Sequence, residues 1–440
     1  MSEGRWEPTA ALLRAALVGL GGLVLAVVGG EPAVLALTAP LLLLAVPAVV
    51  RPRSRPRPAS TVDHGSLREG QAVRVGLDLE VSEAPGGPDG AREVEQVTRV
   101  VVPTAFQRAR PDGGQVSRLV RDGWQRSIEV EVSPRRWGTP VLGEEQVALF
   151  SRWGGWRWGP VAVTGRAVRV MPAGVYRSRA EAPRPRGLVG AHRAARPGSG
   201  TELAGIRPFQ AGDRLRRIDW RVSLRTDELH VTTTRAEQDA GLLLVVDLFA
   251  EHGLSGGVDG DASSLDLTVR AAAALAEHAV RTGDRVALRP IGGRARAVPP
   301  GAGQRHLRRV LGTLADVRTG SSSADDVAPL DLRAGAGTTV VVLSPLLVDA
   351  VATTAAALVR RGLPVVVVDT LPPGLRPDPG QSDPVLVDLA WRMRRLEREQ
   401  VATALAAIGC PVVVWRGAGT VDEVMRRLAR RGQRPGVGGA

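Results

Sequence analysis

The residues with the most distinctive spacing lie between Gly200 and Leu229, where aspartates alternate with arginines. The positions that define this signature are Gly212, Asp213, Arg216, Arg217, Asp219, Trp220, Arg221, Ser223 and Arg225. Arginine and carboxylate side chains form bidentate pairs that hold chain segments in fixed geometry, and the same guanidinium groups can bind an acidic partner. Two interpretations stay open: a structural clasp made of Arg–Asp pairs and a buried Trp220, or a docking surface. Gly212-Asp213 is typical of a turn in which the aspartate caps a helix.

The sequence shows no grouping of residues that is typical of an enzyme. Ser344 lacks the surrounding Gly-x-Ser-x-Gly turn, and His252 next to Glu251 is isolated. Cys410 precedes an apolar run and is typical of a small buried residue. The chain contains no lysine, which excludes Schiff-base chemistry and the phosphate-binding lysine of a P-loop. We therefore expect no catalytic residues and no cofactor.

The composition limits the classes of protein that remain. The 440 residues carry a formal net charge of +13 and include one cysteine, so an intramolecular disulfide is excluded. The basic charge keeps nucleic-acid binding open as an alternative. However, the arginines are spread along the whole chain, and aromatic residues, which stack on bases, make up only 3%. We therefore expect no nucleic acid among the partners.

Two apolar runs near the N-terminus predict a helical hairpin that crosses a membrane twice. The runs are Ala15–Gly30 and Ala33–Val50, and only Glu31 and Pro32 separate them. Each is close to the roughly 20 residues that a membrane-spanning helix needs. Two alternatives stay open, namely a buried helix pair of a soluble domain and a cleaved signal peptide.

Arginines flank the predicted hairpin on both outer sides and are absent from its turn. They are Arg5, Arg14, Arg51, Arg53, Arg55 and Arg57. Because arginine resists translocation, both flanks should stay inside, and the chain after Pro58 should be cytoplasmic. This predicts a protein of the inner or cell membrane. The alternation of Arg and Pro over Arg51–Pro58 indicates an extended spacer that can rest on anionic lipid headgroups.

The region over residues 66–172 alternates apolar and polar residues with period two, which predicts a small β-sandwich-like domain. Examples are Val73–Val81, Ser127–Val132 and Val161–Val170. The tryptophans Trp153, Trp156 and Trp158 are either part of a small β core or an exposed contact patch. A Pro/Arg/Gly-rich linker is expected over residues 173–199.

Apolar runs and helix-like stretches alternate in the C-terminal half. The runs are Leu242–Asp247, Arg285–Ile291, Thr339–Leu343, Val365–Val368 and Pro411–Trp415, and the helix-like stretches are Leu265–Arg281, Gln304–Ala315, Val348–Arg361, Val385–Ile408 and Val421–Arg430. This order predicts a doubly wound α/β domain with a parallel sheet. Ligands of such sheets bind at the carboxyl ends of strands, where Asp247 and Asp369 should lie.

The predicted organisation therefore has six segments. They are 1–58, hairpin and spacer; 66–172, β-rich domain; 173–199, linker; 200–240, signature segment; 241–431, α/β domain; and 432–440, flexible tail.

The signature from Gly212 to Arg225 resembles that of the bacterial family catalogued as domain of unknown function 58. The two apolar runs, the β-rich segment ending near Val168–Met171 and the α/β half follow the same order as in that family. The resemblance implies a C-terminal half like von Willebrand factor A domains and a MoxR-type AAA+ ATPase as partner. It implies no mechanism, because the family's molecular role is poorly defined.

Resemblance to von Willebrand factor A domains also implies a Mg²⁺ site with the pattern Asp-x-Ser-x-Ser after the first strand. Here these positions hold Asp247, Phe249 and Glu251, so both serines are lost. Ser344-Pro345 stands where a second carboxylate is expected. Oxygens of Ser321–Ser323, Asp325 and Asp326 could contribute ligands. We expect this degenerate site to hold no metal.

These observations predict a membrane-anchored cytoplasmic interaction or adaptor protein in contact with the lipid bilayer. By resemblance, it works with a MoxR-type AAA+ ATPase in complex assembly or chaperone-like remodelling. Two alternatives stay open, a metal-dependent ligand-binding domain of the von Willebrand type and a basic nucleic-acid-binding protein.

Overall fold

The structure is a computed structural model, and it describes residues 4–63, 65–82, 94–119, 129–173, 193–210, 218–237, 241–320, 338–417 and 419–432. The chain divides into two compact units. The first unit comprises Met1–Met171 together with Gly257–Asp259, and the second comprises Pro172–Gly256 together with Gly260–Ala440. The apolar helices and the β-rich region thus belong to one unit, and the α/β region belongs to the other.

The first unit begins with a short strand and two apolar helices. These are β1 (Trp6–Pro8), α1 (Ala10–Gly29) and α2 (Pro32–Ala48). The Thr9 side chain caps α1 by accepting a hydrogen bond from the Leu12 amide at 3.2 Å. Gly30 ends α1 in the left-handed conformation, with φ of 67°. Among the described residues, α1 is the helix that is long and apolar enough to cross a membrane, whereas α2 is a shorter apolar helix.

The two helices pack against each other through small residues. A side chain at Gly19 would overlap Leu42, and a side chain at Gly22 would overlap Thr38. Thr38 donates its hydroxyl to the Val34 carbonyl at 2.9 Å, so its polar group is satisfied within α2. Small residues that bring two helix backbones close together are typical of helix pairs in membranes.

Among the described residues of the first unit, twelve further strands join β1 to build two antiparallel sheets and two small strand pairs. The strands are β2 (Arg55–Val62), β3 (Ser66–Arg68), β4 (Val73–Ser82), β5 (Val94–Val101), β6 (Gln107–Arg110), β7 (Gln115–Leu119), β8 (Val130–Pro134), β9 (Val141–Leu142), β10 (Glu145–Ser151), β11 (Trp156–Val163), β12 (Arg166–Ala167) and β13 (Arg169–Met171).

These twelve strands pair as follows. One sheet has the order β1-β11-β10-β5-β7, and the other has the order β2-β4-β8-β6. Side chains from the two sheets share a core, because Leu77 of β4 clusters with Val97 and Leu149, and Val101 of β5 clusters with Val75 and Val132. Inward-facing residues alternate with outward-facing ones along β10, as the period-two pattern predicts.

Two expectations for this region need correction. Arg55–Pro58, which we assigned to a spacer, form the first half of β2 and pair with β4, because the alternating Arg and Pro already adopt an extended backbone. Val161–Val170 is not one strand but parts of β11, β12 and β13. The predicted strand Val73–Val81 is present as β4, and Ser127 and Ile128 lie outside the described residues.

The second unit begins with a two-stranded ribbon around a short helix. Its elements are β14 (Arg193–Pro208), α3 (Trp220–Thr226) and β15 (His230–Glu237). β14 and β15 pair antiparallel, with Pro208 opposite His230. We expected a linker over residues 173–199, but its last part is in β14. Residues 174–192 lie outside the described part of the chain.

The remaining elements of the second unit form the α/β domain. They are β16 (Gly241–Asp247), α4 (Ser264–Thr282), β17 (Arg285–Ile291), β18 (Val298–Gly301), α5 (Gly303–Ala315), β19 (Thr338–Ser344), α6 (Asp349–Arg360), β20 (Val365–Asp369), α7 (Pro384–Ala407), β21 (Val412–Val414) and α8 (Thr420–Gly432). Every strand and helix that we predicted from the apolar runs is present within a few residues of its predicted bounds.

One six-stranded sheet with the order β18-β17-β16-β19-β20-β21 organises this domain. Its neighbouring strands are parallel except for β18, which is antiparallel at one edge. Alternate strand residues such as Leu243 and Val342 pack against α6 and α7 in one core cluster. Helices α4, α5 and α8 contact the other side of the strands. The sheet is therefore covered by helices on both faces, which explains its continuous apolar strands.

Candidate functional site

The winding of the six-stranded sheet reverses between β16 and β19. From β16 the chain continues to β17 and β18 on one side, and later strands follow on the other side. In open α/β sheets, ligands bind outside the carboxyl ends of the strands at such a switch point. Asp247 ends β16 and Ser344 ends β19. The topology therefore brings these two side chains to the place where a ligand site is expected.

Asp247 accepts hydrogen bonds on both of its carboxylate oxygens. The Ser344 hydroxyl donates to Oδ2 at 2.6 Å, and the Phe249 amide donates to Oδ1 at 3.1 Å. Ser344 Oγ in turn accepts a hydrogen bond from the Leu346 amide at 2.8 Å. Asp247 is 4% exposed and Ser344 is fully buried. The serine hydroxyl thus joins the ends of β16 and β19 in one buried network.

Burial raises the pKa of Asp247 above its ordinary value of 3.8, because the charged carboxylate loses its hydration. The hydrogen bonds from Ser344 and from the Phe249 amide act in the opposite direction, since both favour the charged form. Burial is the largest of these effects. The net effect therefore favours the neutral carboxyl form of Asp247 more than water does.

The other two positions of the degenerate metal motif do not approach a cation-binding geometry. The Phe249 side chain is buried in the core cluster of the sheet and packs on Gly292, where a side chain would overlap its ring. Glu251 is exposed. Within the described ranges, no three His, Cys, Asp or Glu side chains gather as a metal site would require. Ser321–Ser323, Asp325 and Asp326 lie outside those ranges.

A second buried carboxylate, Asp369, ends β20 next to Ser344 in the sheet register. It forms an ion pair with Arg398 of α7 and accepts a hydrogen bond from the Leu371 amide at 3.0 Å. Arg398 Nε also donates to the Pro345 carbonyl at 2.7 Å. The arginine therefore ties α7 to the ends of two neighbouring strands.

A cavity of about 160 Å³ adjoins the Asp369–Arg398 pair. Its lining consists of Asp369, Leu371, Pro372, Pro373, Gly374, Leu375, Trp391, Arg395, Arg398 and Val414. Ligand pockets for drug-sized molecules usually measure about 300–1,000 Å³. This cavity is thus smaller than a usual ligand pocket, and its acidic group, Asp369, already pairs with Arg398.

The described part of the signature forms a helix whose start is fixed by Asp219. The Asp219 carboxylate caps α3 by accepting hydrogen bonds from the amides of Arg221 and Val222 at 3.1 and 3.2 Å. Ser223 Oγ donates to the Asp219 carbonyl at 2.7 Å and accepts from the His230 amide at 2.9 Å. The Asp219 amide donates to the His230 carbonyl at 2.9 Å. These bonds attach α3 to the start of β15.

The outer side of α3 is exposed to solvent. Trp220 is 62% exposed and Leu224 is 83% exposed, and Arg221 and Arg225 are also exposed. Residues four apart lie on one face of a helix, so the two apolar side chains form one row and the two arginines form the adjacent row. We call these four residues the α3 surface.

The clasp interpretation of the signature needs two corrections. Trp220 is exposed rather than buried. Asp219 acts as a helix cap, and within the described residues it makes no ion pair with an arginine. Among the signature residues that the structure describes, Ser223 is the buried one, and its hydroxyl attaches α3 to β15. Gly212, Asp213, Arg216 and Arg217 lie outside the described residues, so the predicted cap at Asp213 falls there too.

Sequence reasoning missed two parts of this arrangement. The sequence suggests Ser344 only as a nucleophile without its usual turn or as a replacement for a carboxylate, whereas in the structure it donates a hydrogen bond to Asp247. Arg398 was not singled out, because nothing in the local sequence distinguishes it from the neighbouring arginines of α7. The one signal for Arg398 in the sequence is its place in the long helix that follows Asp369.

Comparison with known proteins gives a family match and relatives without an assigned function. Residues 205–381 match the family described as "Protein of unknown function DUF58". The match includes the signature and the sheet from β16 to β20, and it confirms the resemblance drawn from Gly212–Arg225 for about two-fifths of the chain.

Relatives of the chain occur in mycobacteria. The uncharacterized proteins Rv1480 of Mycobacterium tuberculosis and Mb1516 of Mycobacterium bovis are each 35% identical to it over 129 residues. The aligned part is 29% of this chain and 40% of each relative, so the chain spans about two-fifths of their length. No solved structure matches the chain significantly.

Proposed function

We propose that this protein is a membrane-anchored interaction protein. In this proposal α1 and α2 cross the bilayer, both units lie in the cytoplasm, and the α3 surface binds a protein partner. The partner that the family resemblance implies is a MoxR-type AAA+ ATPase, with a role in complex assembly or chaperone-like remodelling. The observation that carries the proposal is the pairing of exposed Trp220 and Leu224 with Arg221 and Arg225 on a helix that is firmly capped.

The exposed apolar surface of the two helices supports the anchor. Leu17 is 72% exposed, Val28 81%, Leu37 81% and Leu43 74%. A helix pair in the core of a soluble domain would bury such side chains. Lipid would cover them, because apolar surface of this extent is unfavourable in water.

The ends of the helix pair support a topology with both ends on one side of the membrane. β1 precedes α1 and pairs with β11, with Trp6 opposite Trp158. β2 follows α2 and pairs with β4. The Trp6 indole also donates to the Ser54 carbonyl at 3.0 Å, which joins the two ends directly. Pairing of β1 within the sheet also speaks against removal of the first helix as a signal peptide.

Aromatic and basic residues next to the helix ends support a membrane interface at this level. Trp153 is 57% exposed, and it lies in the turn that contacts α2. The Arg51 guanidinium lies over the Trp156 ring, 5.9 Å from its centre. Tryptophan and arginine are enriched at the headgroup level of membranes. Of the tryptophan cluster, Trp158 is in the β core, whereas Trp153 would contact lipid headgroups.

We further propose that the α/β domain is von Willebrand factor A-like. The strand order, the antiparallel edge strand β18 and the helices on both faces support this classification. The closed hydrogen bonding of Asp247 favours an interaction domain that does not depend on a bound cation.

The anchor can be tested by cysteine labelling, because Cys410 is the chain's single cysteine and is fully buried. Glu31→Cys places a thiol in the turn between the helices, and Asp112→Cys places one in an exposed loop of the first unit. In intact cells, a membrane-impermeant maleimide should label Glu31→Cys, and it should label Asp112→Cys only after lysis. Labelling of Asp112→Cys in intact cells, or recovery of the protein without membranes, would contradict the anchor.

The docking surface can be tested by co-purification from detergent-solubilised membranes with the MoxR-type ATPase of the source organism. Trp220→Ala with Leu224→Ala should weaken binding about tenfold or more, since buried aromatic anchors dominate interfaces. Arg221→Ala with Arg225→Ala should mainly reduce the association rate and its salt dependence. The matched control is Leu254→Ala with Arg376→Ala, because both residues are exposed and distant in sequence from α3.

Each outcome of that experiment decides one part of the proposal. Equal binding by the parent and the α3 variants would mean that the ATPase contacts another surface. Absence of binding by the parent would remove the ATPase as partner and leave the anchor unaffected. Loss of binding by the control as well would show that the substitutions act through folding.

A further inference from the structure

Helix α7 rests on its unit through one side only. The Trp391 indole donates to the Leu375 carbonyl at 2.9 Å, Arg394 donates to the Leu347 carbonyl, and Arg398 pairs with Asp369. Leu405 is the buried side chain of α7, at 3% exposure. These residues follow one another at steps of three, four and seven, so they share one face of the helix.

The opposite side of α7 carries a row of large apolar side chains in solvent. Leu386 is 63% exposed, Leu389 54%, Met393 57% and Leu396 60%. At about 100° per residue, the centre of this row lies roughly 150° around the helix from the face that contacts the unit. We call these four residues the α7 stripe. A continuous row of this kind marks an interaction surface.

The spacing within the α7 stripe is three, four and three residues, which is the heptad pattern of paired helices. Leu386 and Met393 take position a, and Leu389 and Leu396 take position d. Such a stripe packs along a second helix that carries the same pattern. A second copy of this chain is one source of such a helix.

The charges beside the stripe are self-complementary in one orientation. Arg392 takes position g and Glu397 takes position e of the next heptad. In a parallel pair, g of one helix faces the following e of the other, so two Arg392–Glu397 contacts would form across the pair. In an antiparallel pair centred on the stripe, g faces g, and the two Arg392 side chains would repel each other. The charges therefore favour a parallel pair.

The same charges disfavour an anionic lipid surface as the covering partner. Asp388, Glu397 and Glu399 lie among the arginines of α7. In the single chain, Arg392 pairs with Asp388 at 2.7 Å and Arg394 pairs with Glu397 at 2.8 Å. Helices that bind anionic membranes carry mainly basic residues beside their apolar face. Mixed charges of this kind are typical of helix–helix contacts.

We propose that a second copy of this chain covers the α7 stripe, with the two α7 helices side by side and parallel. This pairing goes beyond the proposed adaptor function and depends on neither the anchor nor the ATPase. A stripe of two heptads is smaller than a standard interface of 20–30 residues per partner. The pairing should therefore depend on protein concentration.

Disulfide cross-linking of the full chain tests the pairing and its direction. In a parallel pair, equal residues at position a face each other, so Met393→Cys and Leu386→Cys should each form a cross-linked dimer under mild oxidation. The native Cys410 is fully buried and should not interfere. The matched control is Arg395→Cys, which is also exposed on α7 but lies beside the cavity at Asp369 and not on the α7 stripe.

A charge exchange in the Met393→Cys background tests the interhelical pairs. Arg392→Glu should weaken dimerisation about tenfold, because attraction becomes repulsion at two symmetric contacts. Adding Glu397→Arg should restore it. This rescue distinguishes pairing from a loss of folding, since a folding defect would not be repaired by a second exposed substitution.

Three results would overturn the proposal. The first is cross-linking of Arg395→Cys as efficient as that of Met393→Cys, which would indicate random collision. The second is cross-linking only in a mixture of Leu386→Cys and Leu396→Cys, which would indicate an antiparallel pair. The third is protection of Met393→Cys from maleimide by vesicles of anionic lipid without any dimer, which would assign the stripe to a membrane surface.

Discussion

Each unit of this protein buries a carboxylate in its core, but the two carboxylates have different partners. In the first unit, Glu145 lies between the sheets and forms an ion pair with Arg99 at 2.5 Å, with both side chains fully buried. In the second unit, Asp247 ends a central strand and accepts hydrogen bonds from the neutral groups of Ser344 and Phe249. Glu145 therefore has a partner of opposite charge, whereas the partners that the structure describes for Asp247 are neutral.

The difference indicates what each site is built for. Arg99 also donates to the Val75 carbonyl at 3.0 Å, so it joins β5, β10 and β4. The ion pair joins two neighbouring strands of one sheet, and the bond to the Val75 carbonyl links them to the other sheet. Asp247 instead lies at the switch point where other α/β sheets receive a ligand, and its own unit supplies the donors. The first carboxylate is structural, and the second occupies a ligand position with internal contacts.

The largest effect is expected from removal of the cation in the first unit. Arg99→Met leaves Glu145 buried without its counter-charge, which should destabilise the first unit by about 3–5 kcal/mol. The double variant Arg99→Met with Glu145→Met should recover most of this loss, because no charge is then buried. Differential scanning calorimetry of the full chain in detergent would follow the transition of the first unit. A double variant no more stable than Arg99→Met would contradict the pairing.

The next effect concerns the hydroxyl that holds Asp247. Ser344→Ala leaves the Oδ2 atom of Asp247 and the Leu346 amide without their partner, and should destabilise the second unit by about 2–4 kcal/mol. The transition of the first unit should not move. Ser382→Ala, at an exposed position, is the control and should have little effect. An unchanged second transition in Ser344→Ala would show that the network is unimportant for stability.

A smaller effect should appear as a dependence on pH. Burial raises the pKa of Asp247 in the folded chain above 3.8, so its contribution to stability is complete below that value and is lost as pH rises through the folded pKa. Asp247→Asn removes this dependence. The stability of the parent relative to Asp247→Asn should therefore fall as pH rises from about 4, which urea unfolding at several pH values would measure. A difference that is constant with pH would contradict the assignment.

The smallest effect extends the comparison to a carboxylate near the surface. Asp219→Ala removes the cap of α3 and should cost about 1 kcal/mol, whereas Asp219→Asn should cost less because an amide oxygen still accepts the bond. Hydrogen exchange of the Arg221 and Val222 amides would report the change locally. Equal exchange rates in all three chains would show that the cap does not hold this helix.

The order of the elements in the α/β domain followed from the sequence because each strand is a continuous apolar run. Val365–Val368, for instance, predicts β20, since a strand buried on both faces has no polar side. The position of Asp247 at the carboxyl end of its strand followed in the same way. The ribbon of β14 and β15 was missed, because its pairing joins residues far apart in sequence and its composition is rich in Gly, Pro and Thr.

The contacts within the site could not be derived from the sequence. Ser344 is 97 residues from Asp247, and the hydrogen bond between them depends on strand register. Arg99 has the spacing of an inward-facing residue, between Val97 and Val101, but its partner Glu145 is on another strand. The exposure of Trp220 likewise depends on tertiary contacts, so the sequence left a buried and an exposed Trp220 both open.

The pairing of β1 with β11 has a consequence for the order of events during synthesis. Trp6 leaves the ribosome about 150 residues before its partner Trp158. At about 5–20 residues per second, this interval is roughly 7–30 s. The nascent chain must therefore release its first two helices from the ribosome while the strand before them is still unpaired. β1 can join its sheet only after β11 has emerged from the ribosome. Folding of the first unit is therefore completed late in synthesis.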